Sequence, residues 1–122
     1  MKIVNKPWGR EEWLELNDKY CYKRLYINAG FQISYQYHQV KMETNYIISG
    51  TAEIWLENSD GIIEKFEAKD GFYFTVYPNI KHRIRAITNL ILQEVSTPEV
   101  DDVIRIEDDT NRISGRIEDE HK

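Results

Sequence analysis

Apolar and polar side chains alternate with a period of two along most of this chain, the mark of strands with one face turned inward. Runs of this kind cover residues 20–27, 31–38, 46–49, 52–56, 62–66, 72–77, 82–87 and 90–95, and they are rich in Tyr, Ile, Phe and Val. The breaks between them carry turn chemistry: Asn28-Ala29-Gly30, Ser49-Gly50, Asn58-Ser59-Asp60-Gly61, Asp70-Gly71, Pro78-Asn79 and Thr88-Asn89. The stretch from Asn58 to Gly61, flanked by two alternating runs, predicts a hairpin. Residues 11–16 fit one helical turn or a strand equally well, and nothing before residue 98 shows a sustained 3.6-residue stripe. The expectation is an all-β protein, either a closed barrel or a two-sheet jelly roll.

From Pro98 the pattern changes to dense charge, with Val100, Val103, Ile104 and Ile106 as apolar anchors. Residues 99–106 are expected to form a short helix or an edge strand. Residues 111–122 are expected to order only against a second subunit. The organisation is then one domain over residues 1–122, with a barrel at about 6–97 and a short charged C-terminal appendage at 98–122. The 122 residues hold 41% hydrophobic side chains, enough for a real core. Sixteen basic against 21 acidic residues give a net charge of −5, which argues against a general nucleic-acid binder. A single cysteine, Cys21, allows no internal disulfide and suits a reducing compartment. No apolar stretch is long enough for a signal peptide core or a membrane span, so a cytoplasmic location without a membrane partner is expected.

Two of the three histidines, His38 and His82, are candidates for the interior, whereas His121 lies in the charged tail. Along residues 31–38 one face carries Gln32, Ser34, Gln36 and His38, and continued alternation adds Val40. The other face carries Phe31, Ile33, Tyr35 and Tyr37. The polar face either lines a cavity or meets solvent. The apolar face is expected to pack against another subunit, giving a homodimer.

The spacing Gly30-x7-His38-x4-Glu43-x6-Gly50 resembles the first motif of the cupin superfamily, and Gly71-x6-Pro78-x3-His82, followed by Asn89, resembles the second. KPWGREEWLEL, KRLYINAG, ISYQYH, IISGTAEI and VDDVIRIEDDTNR follow in order from Lys6 to Arg112. They are similar to the C-terminal cupin domain of type II mannose-6-phosphate isomerases and small stand-alone relatives. The resemblance implies a double-stranded β-helix barrel, commonly dimeric, that holds a divalent metal through a His-x-His pair, a Glu and a later His. Carried over, the ligands are His38, Glu43 and His82. The second His of the pair falls on Val40, which has no lone pair, and Asn79-Ile80-Lys81 shortens the second motif. Three ligands and an open position suit zinc, and the mixed N/O set also suits manganese, iron or nickel. Alternatively, the imidazoles bind substrate without a metal.

Isomerase chemistry on a sugar phosphate needs an acid/base group, a means of polarising a carbonyl and a cation for the phosphate. Catalytic roles fall to His82 and Glu43. Lys23 is the candidate for the phosphate, and Gln36 and Asn45 for sugar hydroxyls. Parity turns Arg83 and Arg85 outward if His82 points in. Two readings stay open: an isomerase- or epimerase-type enzyme acting on a sugar phosphate or nucleotide sugar, and a non-catalytic cupin that binds such a ligand beside a nucleotidyltransferase. A metal-dependent oxygenase has only fold-level analogy behind it. The acidic residues Asp101, Asp102 and Glu107 to Asp109 are expected to be solvated or to pair with Arg105 and Arg112. Trp8, Trp13, Trp55 and Cys21 are expected to be packing residues.

Overall fold

Along the strand Cys21–Ile27, Cys21, Lys23, Leu25 and Ile27 are buried, while Tyr22, Arg24 and Tyr26 between them are half-buried. The same alternation recurs around a closed pair of sheets. The computed structural model describes residues 1–107 and the backbone of 115–116. In chain order the strands are β1 Lys2–Lys6, β2 Gly9–Leu16, β3 Cys21–Ile27, β4 Tyr35–Tyr37, β5 Glu43–Ser49, β6 Thr51–Glu57, β7 Ile63–Lys69, β8 Tyr73–Val76, β9 His82–Ala86, β10 Leu90–Ser96, β11 Ile104–Glu107 and β12 Gly115–Arg116. They form two six-stranded antiparallel sheets, ordered β1-β2-β3-β10-β5-β8 and β12-β11-β4-β9-β6-β7. This is an all-β jelly roll, and no described residue is helical. Among the described residues, no helix is long and apolar enough to cross a membrane. The tail beyond Glu107, including His121, otherwise lies outside the described residues.

Inward positions on four strands change from apolar to polar at one level of the barrel. Leu25, Leu92 and Ile47 are neighbours across β3, β10 and β5. One inward step along these strands brings Lys23, Glu94 and Asn45 into line. On β9 His82 precedes Ile84 and Ala86, all three buried. One end of the barrel is therefore an apolar core built on Ile27, Ile47, Ile54, Ile84, Leu90 and Leu92. The other end buries ionisable groups, which must be paired to be tolerated.

The ambiguous residues 11–16 are strand, paired with both β1 and β3. The hairpin at 58–61 joins β6 to β7, where Asn58 Oδ1 accepts from the backbone of Asp60 and Ile62. Gly50 turns between β5 and β6 at φ 106°, and a Cβ there would lie 2.3 Å from the Asn89 carbonyl oxygen.

Residues 31–38 depart from simple alternation. Gln32 bridges Arg85 and Gln36 pairs with His82, so four steps on one strand meet three on the other. The extra residue is a bulge. It turns Ile33 and Ser34 inward together, at 8% and 2% exposure. The apolar face expected to meet a second subunit is thus broken: Ile33 joins the core, and Tyr35 packs edge-on against Trp55 at 5.7 Å. Only Phe31 of the four is exposed.

The charged segment after Pro98 starts within the fold. β11 is a strand beside β4, and just before it Asp102 holds the loop that follows His38. The Asp102 carboxylate accepts hydrogen bonds from the backbone N–H of Gln39, Val40 and Lys41 at 3.2, 2.7 and 3.0 Å. Burial would raise its pKa, but these three donors outweigh burial and lower it. The expectation of a solvated Asp102 is therefore corrected: a carboxylate was needed to satisfy three loop amides. Asp102→Ala leaves those amides without their partner and should destabilise the fold by about 2–3 kcal/mol. A lower urea midpoint with an unchanged slope would show this; an unchanged midpoint would contradict it.

Candidate functional site

The polar end of the barrel brings two imidazoles onto one carboxylate oxygen. His38 leaves the end of β4, Glu43 opens β5 and His82 opens β9. All three side chains are buried, and one ligand atom from each lies within 4.8 Å of the others. His38 Nε2 is 2.7 Å from Glu43 Oε1. His82 Nε2 is 3.4 Å from the same oxygen, close enough for an ion pair but not aligned as a hydrogen bond.

The far side of each ring explains this orientation. His38 Nδ1 faces the Asp102 carbonyl at 2.6 Å, and His82 Nδ1 faces the Ile80 carbonyl at 3.0 Å. A carbonyl can only accept, so each Nδ1 carries a proton and each Nε2 is turned to the centre, where the 2.7 Å contact of His38 with the Glu43 carboxylate calls for a second proton or, in its place, a metal ion. Main-chain carbonyls holding Nδ1–H are the usual outer support of metal-binding histidines. Asn45 Nδ2 donates to Glu43 Oε2 at 3.0 Å, leaving Oε1 for the imidazoles. Two imidazoles and a carboxylate sharing a focus fit a divalent transition metal with open positions. The buried His82 Nε2, which has no hydrogen-bond partner, is the donor such an ion would satisfy.

Val40 does not stand at the missing ligand position. The chain leaves β4 at His38, so strand alternation stops there; Val40 is 59% exposed and contributes its backbone N–H to Asp102. The inward neighbour is Gln36, directly opposite His82 across β4 and β9. Gln36 accepts from the Ser34 hydroxyl at 2.6 Å and lines the adjoining cavity.

Lys23 is buried, 3.6 Å from Glu11 and 4.2 Å from the Trp13 ring centroid. Asn45 is fully buried and orients Glu43, while its Oδ1 has no partner. Arg85 is exposed. Arg83 is only 1% exposed, yet it lies on the outer face of its sheet, donating to the Ile33 carbonyl beside Trp55. Trp8 and Trp13 are buried, as is Cys21, whose thiol pKa is raised mainly by desolvation.

Lys41 and Glu94 did not emerge from the sequence. Lys41 Nζ is 3.3 Å from Glu94 Oε2, with both residues buried. Inward parity from Leu90 through Leu92 to Glu94 was the available signal. Burial and the charge of Glu43 raise the Glu94 carboxyl to about 7, against the pull of Lys41 and Lys23. For Glu43 burial also opposes ionisation, but Lys41 and the two imidazoles outweigh it and hold its pKa well below the ordinary range. Two neighbouring carboxyls pushed in opposite directions is a pattern that separates a proton carrier from a fixed anion.

A two-sheet antiparallel barrel with histidines and a glutamate focused inside is a cupin, and solved structures share this fold. An RmlC-like cupin from Shewanella frigidimarina superposes with a TM-score of 0.69 at 20% identity, covering 83% of this chain and 86% of that one. The capsular polysaccharide assembling protein CapF of Staphylococcus aureus gives 0.74 at 14% identity, over 88% of this chain and 34% of that one. The family model described as mannose-6-phosphate isomerase C-terminal matches residues 1–108, and the chain belongs to that family. A mannose-1-phosphate guanylyltransferase of Escherichia coli is 26% identical over 113 residues, covering 90% of this chain. The xanthan biosynthesis protein XanB of Xanthomonas campestris is 25% identical over 114 residues, covering 89%. The matched region is 23% of each of these two proteins, so the chain spans under a quarter of their length.

Between pH 4.5 and about 7 the folded protein keeps a proton on Glu94 that the unfolded chain has released. Stability should therefore fall as pH rises through that window. Glu43 acts in the opposite sense, its contribution being lost only on acidification below the ordinary range. Glu94→Gln should flatten the decline between pH 5 and 7 and stabilise the metal-free protein at pH 8 by up to about 3 kcal/mol. Urea titrations in chelator measure this, and an unaltered slope in the variant would contradict it.

Proposed function

We propose that the chain acts on a hexose phosphate as an aldose–ketose isomerase, with one divalent metal (zinc, manganese, iron or nickel) at His38, Glu43 and His82. The observation that carries this reading is the shared focus of those three side chains, with each histidine held by a main-chain carbonyl and Glu94 titrating near neutrality beside them. Bound there, the metal supplies Lewis acidity at the sugar carbonyl.

The remaining work belongs to the protein. Glu43 is committed to the two imidazoles and Asn45, and its lowered pKa makes it a poor base. Glu94 is the better proton carrier, because catalytic groups work best near the operating pH. In this reading the Glu94 carboxylate takes the proton from C2 of the aldose and returns it to C1, while the hydroxyl proton passes from O2 to O1 through solvent. Gln36, opposite His82, is the candidate partner for a sugar hydroxyl.

A second reading, a binding module beside a nucleotidyltransferase, is favoured by one specific observation. The cavity adjoining the centre holds about 50 Å³, and His38, Glu43 and His82 are not among the residues that line it. One assay separates the readings: conversion of mannose 6-phosphate to fructose 6-phosphate after loading with each of the four metals. The isomerase reading expects turnover that falls about 100- to 10,000-fold in Glu94→Gln, with substrate still bound. Saturable binding of mannose 6-phosphate without product under any metal would establish the binding module instead.

A further inference from the structure

The connection between β8 and β9 leads directly into His82, and its backbone leaves the ordinary conformations. Among the described residues other than glycine, Asn79 alone has a positive φ, at 67°. The Ile80 N–H donates to the Tyr77 carbonyl at 3.3 Å. With Pro78 and Asn79 between them, that bond closes a type II β-turn, which calls for a left-handed residue at its third position. Proline suits the second position because its ring fixes φ. Glycine and asparagine tolerate the third, whereas a β-branched side chain there clashes with its own backbone.

This turn touches both histidines of the centre. The Asn79 N–H is left over from closing the turn, and it donates to the His38 carbonyl at 2.6 Å. One residue further on, the Ile80 carbonyl accepts from His82 Nδ1 at 3.0 Å. The segment is also fixed on its far side. The Ile80 side chain packs on the core, and the Lys81 N–H and carbonyl bond to the Glu57 carboxylate and N–H, each at 3.0 Å.

Strand pairing alone aligns the two histidines weakly. β4 meets β9 in register only at Gln36 and His82, and His38 lies beyond that pair. The imidazole centroids are nevertheless 5.1 Å apart. The φ and ψ of residue 79 lie between the hydrogen bond to His38 and the one to His82, so they set the direction of one relative to the other. We propose that Asn79 is a positioning residue for the histidine–glutamate centre: its left-handed backbone ties the His38 main chain to the His82 ring and keeps His82 Nε2 presented to a divalent ion. This rests on the metal reading above and gives the shortened second motif, Asn79-Ile80-Lys81, a task in it.

Zinc affinity of the full chain, measured by competition with a chromophoric chelator, tests this. It is read beside the urea midpoint and the ring-nitrogen NMR signals of His82 in the metal-free protein at pH 8. Asn79→Gly keeps the left-handed backbone accessible and should bind zinc within about three-fold of wild type. Asn79→Val should bind about 10- to 100-fold more weakly, as when the outer support of a metal-binding histidine is lost. Without metal, the His82 proton should stay on Nδ1 in wild type and in Asn79→Gly, and leave that nitrogen in Asn79→Val. A purely structural role would lower the urea midpoint and move neither the zinc affinity of the folded protein nor the ring signals. Asn79→Ala, which lacks the amide that favours the left-handed region, takes the place of Asn79→Val if that variant does not fold. Undiminished zinc affinity in whichever of the two folds, or an equal loss in Asn79→Gly, would overturn the proposal. If the wild type binds no zinc, the metal reading falls and the ring signals decide alone. A proton displaced from Nδ1 in Asn79→Val or Asn79→Ala but not in Asn79→Gly keeps the positioning role, and equal signals in all of them remove it.

Discussion

A carboxylate buried inside a β-barrel keeps its charge only if the surrounding groups stabilise that charge better than water did. Glu43 meets this condition at 4% exposure through His38, His82, Asn45 and the nearby Lys41. Most of the polar end of the barrel follows from that constraint. Glu94, buried and beside that fixed anion, cannot easily ionise, so it is left with a carboxyl that titrates near neutrality. Lys41 is held between the two acids. Substituting Glu43 would disturb the imidazoles, the Asn45 amide and the proton on Glu94 together.

The rest of the molecule keeps this cluster in place and away from water. The apolar half of the barrel, with Leu25, Leu92 and Ile47 in one row, fixes the strands so that the next inward step delivers Lys23, Glu94 and Asn45 at a single level. His38 sits beyond the regular part of β4, where strand pairing no longer holds it. Asp102 takes over, its carboxylate gathering the loop amides and its carbonyl accepting from His38 Nδ1. The C-terminal segment is thus coupled to the centre through one residue, and through Arg105 to the cavity beside it.

Much of this was legible from period alone. The long alternating runs appear as strands, with turns at the expected glycines and asparagines. Residues 11–16 stayed ambiguous because β2 buries Glu11 and Trp13 in a run dense with charge. The bulge at residues 32–36 left no mark in the pattern, and the face assigned to Ile33 was wrong for that reason. The placement of Val40 failed similarly, because alternation was continued past the end of a strand. His38, Glu43 and His82 were found through motif spacing rather than periodicity. Glu94 and Lys41 were missed because a charged residue normally reads as outward. On β10 the inward parity of Leu90 and Leu92 pointed to Glu94 against that rule. Asp102 and Arg105 were hidden in a charge run whose contacts are long-range.

The account stands on a metal held by His38, Glu43 and His82, and metal content tests that most directly. Protein prepared without a histidine tag, incubated with zinc, manganese, iron or nickel and desalted, would be analysed by plasma mass spectrometry beside folded His38→Ala and Glu43→Gln variants. The account predicts about one equivalent of metal per chain in the wild type and little in either variant. No retained metal with any of the four ions, or equal retention in the variants, would contradict it.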